Sequence, residues 1–315
     1  MRIAALAGGT GAAKLLRGLA ASLDASTLTV VVNTGDDAEV WGLHVSPDLD
    51  SVMYALAGVL DTARGWGRAD ETFRCLAAMA VYGAPTWFTL GDRDLATHLV
   101  RTRVLHDGRP LSAITAELCR ALGVAARMLP MSDDPVRTII RTPQGRVGFQ
   151  EYFVRDKCQA QVVGVDYEGA DRARPAPGVV DAIREADLIV VCPSNPVTSI
   201  GPIIAVRGIA EALAAARAPV VGVSPIVGGA AVSGPAGALM RARGLPVSPV
   251  GIARAYAPWL RTLLVAADDA ACARELAAFG VRAVPTDVMM PDAARERALA
   301  RAVLDAAAHP PLPLQ

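Results

Sequence analysis

Residues 1–37 read MRIAALAGGTGAAKLLRGLAASLDASTLTVVVNTGDD, and they decide the fold. Arg2–Leu6 is a short apolar run, Gly8-Gly9-Thr10-Gly11 a loop, Ala12–Leu19 an alanine- and leucine-rich helical stretch, and Leu28–Val32 a second apolar run that ends in Asn33-Thr34-Gly35-Asp36-Asp37. Strand, glycine loop, helix and strand in that order describe the first crossover of a parallel sheet. One positive charge and a short apolar stretch running straight into glycines read as a first strand, not a signal peptide.

The same rhythm returns later in the chain. Apolar runs at Leu188–Val191, Pro219–Val223, Leu263–Ala266 and Arg282–Pro285 are each followed by small-residue loops and helical stretches. The expected fold class is α/β, a Rossmann-like three-layer core with a mostly parallel sheet and a smaller mixed α+β insertion. Residues 1–59 and 176–315 form the core in this reading, and 60–175 the insertion covering the site. Val52–Leu129 looks mainly helical; Thr138–Arg141 and Arg146–Val154 look like strands around a turn, Gln161–Val165 like another, and Ala170–Pro177 like the return linker.

Composition excludes several classes. With 315 residues the chain buries a sizeable core without a disulfide or metal staple. Lys plus Arg equals Asp plus Glu at 31 each, so no broad field gathers nucleic acid or anionic lipid. The five scattered cysteines (Cys75, Cys119, Cys158, Cys192, Cys272) form no CxxC pair, which points to a reducing cytoplasm. No apolar run reaches the roughly 18 residues of a membrane span.

In such sheets ligands bind outside the carboxyl ends of the strands, so the loops there are the candidate site. Gly8-Gly9-Thr10-Gly11 opens a helix, where free N–H groups and the helix dipole accept phosphate. Its spacing matches neither a P-loop nor a complete GxGxxG, because Lys14, one of only two lysines, stands at the third glycine position. Asp36, Asp37, Asp48 and Asp50 are hard oxygen ligands of the kind Mg²⁺ takes, although one of the last two also suits a helix cap. Thr89–His98 is a dense polar group that fits either an ion-paired helix start or a contact to ligand through Arg93. Met131-Ser132-Asp133-Asp134-Pro135 fits either a helix boundary or a contact loop. Ser194, Asn195, Thr198 and Ser199 can hold phosphate oxygens or a base edge. His44, His98, His106 and His309 show no zinc spacing, and no GxSxG elbow is present.

Taken in order, GGTGAAKLLRGL, VVNTGDDAEVWGLHVSPDLDSVMYAL, FTLGDRDLATHLVRT, LPMSDDPVRT, PSNPVTSIGPI and VSPIVGGAAVSGPAG resemble the 2-phospholactate transferase family of deazaflavin coenzyme F(420) biosynthesis. The resemblance runs from residue 1 to about 290. It implies a homodimer that uses Mg²⁺ to move a phosphorylated three-carbon acid from a guanosine diphosphate carrier to the terminal hydroxyl of the deazaflavin Fo, releasing GMP. It also implies residue roles: Gly8, Gly9, Thr10, Gly11 and Lys14 at the donor diphosphate; Ser194, Asn195, Ser224, Gly228 and Gly229 at the guanosine; Asp36 and Asp50 as metal ligands; Asp50, the catalytic residue, and Arg93 at Fo. The acid itself, phosphoenolpyruvate, 2-phospholactate or a phosphoglycerate, stays open, with a lean to phosphoenolpyruvate.

Two other readings start from the same loops. A nucleotide-sugar-binding regulatory protein has a similar beginning, but there a Gly-Gly-Ser-Ser run follows the acids, where this chain has Ala38-Glu39-Val40-Trp41-Gly42. A dinucleotide-dependent oxidoreductase uses an acid about 25 residues after the glycines for ribose, and Lys14 opposes it.

Overall fold

The computed structural model describes residues 1–308; His309 and the Pro-rich end at 310–314 lie outside the described residues. Seven parallel strands make the central sheet: β1 (Ile3–Ala7), β2 (Leu28–Val32), β3 (Arg127–Pro130), β4 (Leu188–Val191), β5 (Val220–Val223), β6 (Thr262–Ala266) and β7 (Arg282–Thr286). Their spatial order is β7-β6-β5-β4-β1-β2-β3, so the winding reverses between β1 and β4. A doubly wound sheet opens a crevice at that reversal. Ala7 pairs with Val32, and Leu6 with Val191, which brings Gly8, Asn33 and Cys192 to one edge.

Strand alternation builds both faces of the core. Ala4 and Leu6 face one apolar cluster, with Ile189, Val191 and the helices after β4. Ile3, Ala5 and Ala7 face the other, with α1 (Gly9–Ala20), α2 (Pro47–Leu56), α4 (Leu111–Ala121) and α5 (Ala293–Ala308). A further helix, α3 (Asp92–His106), is joined to α2 by hydrogen bonds of Tyr54 with Asp94 and of Arg101 with Asp50. Leu15, Leu16 and Leu19 of α1 are fully buried. The ion pair of Arg17 with Glu296 ties α1 to α5.

Six of the seven strands fall where the apolar runs place them. The seventh, Arg127–Pro130, lies in the stretch expected to be helical and inside the range expected to be an insertion. It is the sheet edge beside β2, so a core strand interrupts the range expected as one insertion and leaves about 60–126 and 131–175 on either side of it. The second holds a three-stranded antiparallel sheet of Arg137–Thr142, Gly145–Gly148 and Gly164–Glu168. The strand expected over Arg146–Val154 ends at Gly148 and becomes a π-helical turn, Glu151–Arg155. Phe149 and Tyr152 are both buried, and a spacing of three serves one face of a helix, not of a strand.

Candidate functional site

The loops after β1, β2 and β4 meet at the reversal of the sheet. The Gly8 N–H donates to the Ser194 hydroxyl at 3.1 Å, which spans the β1–β4 crevice. A Cβ at Gly8 would lie 2.4 Å from Asp48 Oδ2 and 2.7 Å from the Ser199 Cβ, so only glycine allows this approach. Gly9 adopts φ +71°, the left-handed region that favours glycine, and turns the chain into α1.

Asn33 is the hinge of the acidic group. Its Nδ2 donates to Asp48 Oδ2 at 2.9 Å and to the Thr198 carbonyl at 3.1 Å, while its Oδ1 accepts the Gly35 N–H at 2.8 Å. Burial, opposed by Asn33 and worsened by the charge of Asp37, pushes the Asp48 carboxyl up to about 6. The Gly9 amide and the Ser199 hydroxyl favour its ionised form. Burial and the neighbouring Asp48 charge also hold Asp36 well above the usual carboxylate range. One oxygen each of Asp36 and Asp37 is buried without a hydrogen-bond partner. The other Asp37 oxygen accepts the Ser46 hydroxyl at 2.8 Å and lies 2.9 Å from His44 Nε2.

Asp50 sits elsewhere. Residues two apart on a helix point about 200° apart, so Asp48 and Asp50 of α2 cannot face the same space. Asp48 faces the glycine loop; Asp50 faces α3, where Arg101 grips both its oxygens. His98 Nδ1 lies 3.3 Å from the Arg101 guanidinium, His98 Nε2 lies 3.3 Å from Asp94, and Tyr54 donates to Asp94 at 2.7 Å. Asp94, His98 and Arg101 are all buried.

The remaining expected residues separate into groups. Lys14 donates to the Met290 carbonyl at 3.0 Å, on the side of α5. Arg93 is 55% exposed, donates to the Ala69 carbonyl at 3.2 Å and does not pair with Asp50. The Asn195 side chain caps its own turn by accepting the Val197 and Thr198 N–H groups. Ser224 likewise closes a turn with Ile226. Gly228 donates to Asp269, and Gly229, at φ +77°, follows it in the hairpin after β5. Thr10 and Gly11 lie in the first turn of α1.

Asn33, His98 and Arg101 pack around these acids, although none was singled out as a site residue from sequence. A usable signal for two of them was present: Asp94, His98 and Arg101 follow at i, i+4 and i+7, a polar stripe on one face of α3. A cavity of about 310 Å³ adjoins the acids, walled by Thr34, Asp37, His44, Thr102, Asp133 and Arg137. The larger hollow, about 460 Å³, opens beside β3 and has no carboxylate in its wall.

A glycine turn at a helix start, buried acids short of partners and a crevice at the sheet reversal define an α/β protein of the doubly wound class. The chain belongs to the 2-phospho-L-lactate transferase CofD family, whose profile matches residues 3–304, and is therefore a transferase. It is 47% identical to the phosphoenolpyruvate transferase of Streptomyces griseus subsp. griseus, with 98% of each chain covered. It is 42% identical to the 2-phospho-L-lactate transferase of Methanosarcina acetivorans, over 95% of this chain and 97% of that one. The crystal structure of a UPF0052 family member from Bacillus halodurans superposes with a TM-score of 0.65 at 18% identity, covering 96% and 98% of the two chains, and shares the fold. Among the described residues no helix is long and apolar enough to cross a membrane.

Proposed function

We propose that the chain makes a phosphodiester in coenzyme F(420) biosynthesis, moving phosphoenolpyruvate from a guanosine diphosphate-linked donor to the terminal hydroxyl of Fo. The observation that carries this reading is the under-neutralised acid group, Asp36, Asp37 and Asp48, pressed against the glycine loop. Such a group calls for a cation, and the loop beside it for a phosphate.

Mg²⁺ fits this place. The partnerless oxygens of Asp36 and Asp37 are hard ligands, and Mg²⁺ takes one or two carboxylates and completes its shell with water and phosphate. Among the described residues no three His, Cys, Asp or Glu side chains form a metal-binding group. Asp36 with Asp37 or Asp48 would hold the ion; Asp50, which the resemblance points to, has both oxygens on Arg101. Bound there, Mg²⁺ spreads the charge that builds on the phosphoryl oxygens.

The chain's own groups do the rest. The N–H groups opening α1 face the diphosphate, and the crevice between β1 and β4 aligns donor and acceptor. The Fo hydroxyl oxygen bonds to the phosphorus carrying the acid, the bond from that phosphorus to GMP breaks, and GMP leaves. With Asp36 and Asp37 on the ion, the hydroxyl proton passes to Asp48, whose raised proton affinity suits the task. Asp50, through Arg101, ties α2 to α3.

The name carried by the Streptomyces griseus relative supports phosphoenolpyruvate as the transferred group. Mass spectrometry of products formed from Fo with each of the three guanosine diphosphate-linked acids, in Mg²⁺ and in EDTA, tests the reading. The expected result is a phosphodiester and GMP in Mg²⁺ alone, fastest with the phosphoenolpyruvate donor. No Fo product from any donor sinks it.

A further inference from the structure

Three of the chain's four tryptophans, Trp41, Trp66 and Trp87, fall between residues 41 and 87. Trp41 spends its indole N–H on the Pro85 carbonyl at 2.8 Å, and Trp87 packs edge-on against Phe88. Trp66 is different: it remains 41% exposed in a loop whose course is closely held.

That loop runs between α2 and α3. Leu60 pairs with Arg68 in an isolated antiparallel bridge. Asp61 accepts the Ala63 and Arg64 N–H groups, both at 3.0 Å, and its other oxygen holds Arg64 Nε at 2.8 Å. The pinned Arg64 guanidinium lies 5.2 Å from the Trp66 ring and 5.1 Å from the Phe73 ring. A single cation thus backs two aromatic rings.

The neighbours of Trp66 locate it over the site. Gly65 has φ +79°, and a Cβ there would stand 3.0 Å from Thr10 Cγ2, at the start of the glycine-loop helix. Gly67 follows, where a Cβ would lie 4.0 Å from Asp94 Oδ2, on the first turn of α3. The Ala69 carbonyl two residues on receives Arg93. The backbone on either side of Trp66 thus runs between the start of α1 and the first turn of α3, and its half-exposed indole, backed on one side by Arg64, offers a π face to a planar ligand.

We propose that Trp66, backed by Arg64 and Phe73, is the stacking platform for the tricyclic deazaflavin ring of the acceptor and sets acceptor specificity. This rests on the reading of Fo as acceptor. The guanine of the donor is the other planar candidate, and the donor KM distinguishes the two.

The test is steady-state kinetics of Trp66→Ala, Trp66→Leu and Trp66→Phe with Fo and donor varied in turn. Base-on-aromatic stacking is worth enough for Ala and Leu to raise the KM for Fo about tenfold, with the donor KM unchanged. Phe, which keeps a π face, holds the Fo KM within about twofold of wild type. Leu separates stacking from simple apolar area, and wild-type melting curves for all three exclude misfolding. An Fo KM unchanged in the Ala variant, a Leu variant equal to wild type, or a rise in the donor KM instead overturns the platform. Failure of the wild-type enzyme to turn over Fo overturns the functional reading itself, so the two failures are distinguishable.

Discussion

Helix α2 presents two aspartates two residues apart to opposite electrostatic settings. Asp48 meets Asp36 and Asp37 with only neutral donors around it, and burial raises its carboxyl to about 6. Asp50 meets Arg101, a fully buried guanidinium whose charge cancels its own. Neutralised buried charges keep a fold unique; unneutralised ones wait for a ligand. On the function proposed, the difference sets a framework and a site within a single turn of helix.

Arg101→Met breaks the framework side and has the largest expected effect. It leaves Asp50 buried and unpaired, a loss of about 3–5 kcal/mol. Urea denaturation measures it, and adding Asp50→Asn to the same chain restores most of the loss. A single Arg101→Met variant as stable as wild type would mean that Asp50 reaches solvent or another cation, and the contrast would dissolve.

Asp36→Asn acts on the other side and splits activity from stability. Removing one of several buried like charges leaves stability equal or higher, while turnover falls about 10²–10³-fold, as when a group stabilising transition-state charge is lost. Parallel loss of both would place Asp36 in the framework with Asp50.

The pH dependence sharpens the same contrast by a smaller margin. A carboxyl with a folded pKa above its unfolded value binds its proton more firmly in the fold, so its stabilising contribution is full below the unfolded value and fades as pH rises through the folded one. For Asp48 the window runs from 3.8 to about 6. In EDTA, stability therefore declines across that window, and Asp48→Asn flattens the decline. At pH 7 added Mg²⁺ raises Tm in the wild type, because a ligand that binds only the folded chain stabilises it. A flat profile in EDTA for the wild type would contradict the like-charge crowding.

Much of this architecture was legible in the residues because the central strands are short, continuous apolar runs, most of them followed by loops of small or polar residues. Arg127–Pro130 escaped because four residues with Arg and Pro at their ends carry little periodicity at a sheet edge. The loops at the strand ends were legible as a site from composition alone. Which acid faces which space was not, since that depends on the phase of α2, set where Pro47 opens the helix. The partner of Asp50 lies 51 residues away on α3, and sequence spacing does not register such a pairing.

Lys14 gives the smallest test and bears on the same division. Its place after the glycines suits a diphosphate contact, yet its ammonium donates to the Met290 carbonyl, which ties α1 to the segment leading into α5. A hydrogen bond from a charged donor to a partly buried carbonyl contributes about 1.5–3 kcal/mol. Lys14→Met keeps the aliphatic stem, so the expected change is a loss near the lower end of that range. The donor KM stays within about threefold, since the N–H groups of the loop remain. A donor KM raised tenfold or more at unchanged stability would move Lys14 from the framework to the site, and the positive charge facing the diphosphate would be its own.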